Sequence, residues 1–139
     1  MADMLVMGVD ENGLGPRLGP LVASSVAIWV PRYDRAALCR RGLALGLTDS
    51  KETGGFGRMG FTESVAMGLI ERDSGRVPSS VDELLGLISP GSRERLRVKC
   101  PGEQTAAQCW GLDLELPVFG GDPAYGGALL DRLIGRSSL

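Results

Sequence analysis

The chain has 139 residues, with 15 basic and 17 acidic side chains and no histidine, for a formal charge of −2. This balance excludes binding to nucleic acid through a large positive field, so any such contact must be local. The missing imidazole excludes a Ser-His-Asp triad, histidine general acid–base chemistry and the usual zinc hydrolase sites, and leaves carboxylate–metal chemistry standing.

With 43% hydrophobic residues, the length suits one domain over 1–139 with its own core. Met1 to Met7 lacks a basic leader and no stretch is long and apolar enough to span a bilayer, so the expected location is cytoplasmic with no membrane partner. Cys39, Cys100 and Cys109 form no CxxC unit and cannot all pair, which predicts reduced structural thiols.

In chain order, Met4 to about Asp10 reads as a short buried strand, and a Gly/Pro turn follows it. Leu21 to Val30, rich in Val, Ala and Ile, reads as a second buried strand stopped by Pro31, and the two are expected to pair as a hairpin. Asp34 caps a helix through Leu45. Gly54-Gly55-Phe56-Gly57 reads as a loop before a helix from about Thr62 to Arg72. Ser80-Val81-Asp82-Glu83 has capping-box spacing ahead of Leu84, Leu85, Leu87 and Ile88, with Pro90-Gly91 ending that helix. Leu112 to Phe119 alternates like a half-exposed strand, with Pro117 indicating an edge. Asp122 caps a last helix from Pro123, with Leu129, Leu130, Leu133 and Ile134 on one face and Gly135 at its end. Arg32, Arg35, Arg40 and Arg41 form one basic cluster, and Arg93, Arg95, Arg97 and Lys99 another; a cluster of this kind is a solvated face more often than a phosphate contact. The segment Cys100 to Trp110 has an unusual composition without a chemical reading.

The chemistry concentrates in Val9 to Pro20, V-D-E-N-G-L-G-P-R-L-G-P. Asp10 and Glu11 are adjacent carboxylates at the tip of an apolar strand, and hard cations such as Mg²⁺ or Mn²⁺ take such oxygen ligands beside water and substrate phosphate. Adjacent strand residues point to opposite faces, so the pair shares an ion only where the strand ends or twists. Gly13 and Gly15 make that bend easy. The spacing Gly13, Gly15, Gly19 misses the dinucleotide fingerprint by one residue, and Pro16 and Pro20 oppose a helix there, which rules out a Rossmann turn. A glycine-rich turn still lets backbone N–H groups approach a phosphate or sugar.

These residues resemble type 2 ribonucleases H, the ribonuclease HII family, whose first strand ends in G-x-D-E-x-G-x-G-P-x-x-G-P. Gly8, Asp10, Glu11, Gly13, Gly15, Pro16, Gly19 and Pro20 fall in register with it. A D-S-K motif usually follows the family's second strand, and here Asp49-Ser50-Lys51 follows Thr48. The resemblance covers about Met4 to Lys51. It implies an α/β fold of the ribonuclease H-like type, a mixed sheet flanked by helices. It also implies metal-dependent hydrolysis of RNA in an RNA–DNA hybrid, or of a ribonucleotide embedded in duplex DNA, with Mg²⁺ or Mn²⁺ as cofactor. By the same carry-over Asp10 and Glu11 are metal ligands, Gly13 and Gly15 contact the backbone around the ribonucleotide 2′-OH, and Ser50 and Lys51 meet phosphate. The family usually has Arg between the two glycines, where this chain has Leu14, so a charge-assisted contact is lost; Arg17 is the nearest substitute.

The family uses four carboxylates, and Asp113 and Asp122 are the candidates for the other two. If Leu112 to Phe119 is one extended strand, those two acids lie up to roughly 30 Å apart, so at most one belongs to the site. Asp122 reads more readily as an N-cap and Asp113 as an exposed strand acid. A second expectation is that the chain is a truncated piece with the remaining acids beyond Leu139. The alternative function is a non-catalytic nucleic-acid-binding module with the same fold, and a structural or interaction domain is the third.

Overall fold

A computed structural model of the chain describes residues 2–11, 23–53, 57–91 and 114–135. Among them are two strands and five helices: β1 (Met4–Glu11), β2 (Ala23–Val30), α1 (Arg35–Ala44), the single turn α2 (Ser50–Thr53), α3 (Met59–Ser74), α4 (Val81–Ile88) and α5 (Pro123–Ile134). The arrangement is mixed α/β.

β1 and β2 form an antiparallel hairpin running from Met4↔Val30 to Glu11↔Ala23 without a register break. Side chains directly opposite share a face. One face therefore carries Met4, Val6, Gly8 and Asp10 with Val30, Ile28, Val26 and Ser24. Its Met4 end is the covered part, with Val30 buried and Val6 and Ile28 partly so. The other face carries Leu5, Met7, Val9 and Glu11, and here Leu5 is 47%, Met7 63%, Val9 68% and Trp29 55% exposed. The expectation of two buried strands is thus corrected. An uncharged run shows that a strand could be buried, but burial needs a covering layer, and α1, α3 and α5 pack mainly on one another rather than on this face. Each large side chain left about half uncovered forgoes roughly half of the about 1.5–3 kcal/mol that full burial contributes.

The core lies between α3 and α5. Met67, Leu129, Leu130 and Ile134 are buried in it. The two helices approach closely because small residues line the crossing: on successive turns of α3, Gly60 meets the Phe119–Gly120 backbone, Ser64 meets Gly121 and Gly126, and Gly68 meets Gly126 and Gly127. A Cβ on Gly68 would stand 2.6 Å from the Gly126 carbonyl carbon, and one on Gly126 would collide with the Ser64 carbonyl oxygen. Ser64 is buried yet satisfied, since its Oγ donates to the Gly60 carbonyl (2.7 Å) and accepts from the Asp122 N–H (2.8 Å). Arg72 of α3 fastens the far end, donating to Asp131 Oδ1 at 3.1 Å and to the Gly135 carbonyl at 2.6 Å, which satisfies an orphan carbonyl after α5.

The caps follow the sequence. Asp34 Oδ1 accepts from Ala37 N–H at 3.0 Å and opens α1. Ser80 Oγ accepts from Glu83 N–H at 3.3 Å and opens α4, which ends at Ile88 with C-cap Ser89, directly before Pro90-Gly91. α3 extends a few residues past both expected bounds and ends on Gly75 in the left-handed region. The strand expected over Leu112 to Phe119 does not form in its described part. Only Glu115 bridges to Ser80, and the chain then turns at a cis Leu116-Pro117 bond. Proline has no N–H with which to extend the ladder, and the next free N–H groups are taken by a side chain. Cys39 is free but exposed on α1, so it is not the packing thiol expected.

Candidate functional site

Asp10 and Glu11 are the last two residues of β1, opposite Ser24 and Ala23, and both are exposed. They lie at a solvent-open strand end rather than at the tip of a buried strand. Asp10 Oδ1 accepts from the Glu11 N–H at 2.9 Å, so one carboxylate oxygen is held against the backbone. The pleat sends the two side chains to opposite faces, and since pairing holds as far as Glu11, a shared ion is reached only across the strand end.

The donor set agrees in kind with a hard divalent cation, being carboxylate oxygen in an open position that water and a phosphate can complete. Two carboxylates of this kind would suffice for at most one hydrated ion. A pair of ions about 3.5–4 Å apart requires more acids than two, and among the described residues no group of three or more Asp, Glu or Cys side chains gathers at metal-binding spacing.

The D-S-K motif lies at a helix start. Asp49 accepts the Lys51 N–H on Oδ1 (2.9 Å) and the Glu52 N–H on its carbonyl (2.9 Å), opening the single turn α2. Ser50 is the first residue of that turn, and Lys51 is exposed on it. Gly13 and Gly15, together with Leu14, Arg17, Asp113, the Cys100 to Trp110 segment and the basic cluster Arg93 to Lys99, lie outside the described residues.

Asp122 is a cap. Its Oδ1 accepts from Ala124 N–H (2.9 Å) and Tyr125 N–H (3.3 Å), and its own N–H is bound by Ser64, so the carboxylate is committed to α5. The acid that sequence reasoning misses is Glu63. Its carboxylate on α3 accepts three backbone N–H groups, from Val118 (2.6 Å), Phe119 (2.8 Å) and Gly121 (2.9 Å), and so pins the loop that delivers Asp122 to its helix. A lone Glu on a helix reads as solvated, and the sequence signal for its partner loop is Gly121, where a Cβ would stand 2.9 Å from the Glu63 Cγ.

Glu83 has its carboxyl held below the ordinary glutamate value of 4.5, chiefly by the Ser79 N–H and hydroxyl that donate to it, with Arg76 adding attraction and burial opposing. This is a structural group at the start of α4. A groove of about 160 Å³ between the end of α1 and α5 is lined by Ala44, Leu45, Tyr125, Ala128, Leu129 and Arg132. It falls short of the roughly 300 Å³ at which small-molecule pockets begin.

No helix among the described residues is long and apolar enough to cross a membrane. In comparisons with known proteins, no family model matches the chain, and no curated protein or solved structure matches it either.

Proposed function

We propose that the chain is a metal-dependent ribonuclease of the type 2 ribonuclease H kind, cutting RNA in RNA–DNA hybrids or at ribonucleotides embedded in duplex DNA. The observation that carries this reading is the ordered pair of motifs, G-x-D-E-x-G-x-G-P-x-x-G-P and then D-S-K, with Asp10 and Glu11 at an open strand end where a duplex can reach them. A ribonuclease H-like fold belongs to the proposal, supported by an antiparallel hairpin that leads into a helix.

In this reading Asp10 and Glu11 hold Mg²⁺ or Mn²⁺ and position the attacking water. The ion supplies charge neutralisation at the phosphate and a more acidic water. Gly13 and Gly15, without Cβ atoms, let the backbone approach the ribose whose 2′-OH separates RNA from DNA. Ser50 and the exposed Lys51 neutralise and hydrogen-bond a neighbouring phosphate.

A second reading, a non-catalytic nucleic-acid-binding module of the same fold, is favoured by Leu14 in place of Arg and by the lack of a third acid beside Asp10 and Glu11 among the described residues. Labelled RNA–DNA hybrid, a duplex with one embedded ribonucleotide and all-DNA duplex, each incubated with Mg²⁺ or Mn²⁺, separate the two. Metal-dependent cutting of the first two alone supports the ribonuclease; metal-independent binding to them without cutting supports the module.

A further inference from the structure

We draw no further inference here: the strongest candidate, the exposed apolar face of the β1–β2 hairpin with Leu5, Met7, Val9 and Trp29, carries no proposal because nothing in the structure shows what covers it.

Discussion

Gly126 and Gly127 are neighbours in the same helix, yet adding one methyl group to each should move stability in opposite directions. At Gly126 the new Cβ falls on the Ser64 carbonyl oxygen and close to the Val65 nitrogen, both backbone atoms of α3, so the helices must separate. Inserting a methyl into such a contact costs about 1–3 kcal/mol, and backbone that cannot rotate away places Gly126→Ala at the upper end, about 3 kcal/mol. Alanine returns about 1 kcal/mol through helix propensity, for a net loss of about 2 kcal/mol. At Gly127 nothing stands within 4 Å of the added Cβ, so only the propensity gain of about 1 kcal/mol remains. The two variants should therefore differ by about 3 kcal/mol. At about 3–5 °C per kcal/mol for a chain of this length, their melting temperatures should lie about 9–15 °C apart with wild type between them. Thermal and urea unfolding followed by circular dichroism measure this. A Gly126→Ala protein as stable as wild type would refute the close crossing of α3 and α5.

Other substitutions probe single groups. Glu63→Ala should cost about 2 kcal/mol, because the lost acceptor is charged but water can reach part of the loop, and the Val118, Phe119 and Gly121 amides should exchange with deuterium faster while those of α4 do not. Glu83, whose carboxyl is held below its ordinary value, should stabilise the fold fully above pH 4.5 and lose that contribution as pH falls through its folded-state value. Unfolding of Glu83→Gln measured against pH should show a deficit at neutral pH that closes on the acid side; a deficit independent of pH would contradict the assignment. Asp122→Ala should destabilise by about 1 kcal/mol through loss of the α5 cap, and Mn²⁺ titration should be unchanged.

The features legible in the sequence were those that local chemistry decides. Asp34, Ser80 with Glu83, and Asp122 with Pro123 announce three helix starts because a cap needs only its own next few residues. The hairpin was legible from two β-rich segments on either side of a Gly/Pro turn. What failed was whatever depends on a partner distant in sequence. The uncharged run Met4 to Val9 reads as a buried strand, but exposure at Met7 and Val9 is set by what packs over them. The series Gly60, Ser64 and Gly68 reads as poor helix propensity, whereas its meaning is close approach to α5, some 58 residues later for Ser64 and Asp122. Glu63 is likewise defined by amides far along the chain. At the candidate site, Asp10 and Glu11 stand out through adjacency and motif, while a third acid has no local signature and depends on which elements the fold brings beside β1.

Cleavage of the ribonucleotide-containing duplex with Mg²⁺ or Mn²⁺ by wild type, Asp10→Asn and Glu11→Gln is the most direct test of the proposed function. Cutting beside the ribonucleotide that needs the metal and is lost in both variants, with their melting temperatures unchanged, is the predicted result. Cutting that survives either substitution, or a folded wild-type chain that leaves the duplex intact, would contradict a nuclease site at Asp10 and Glu11.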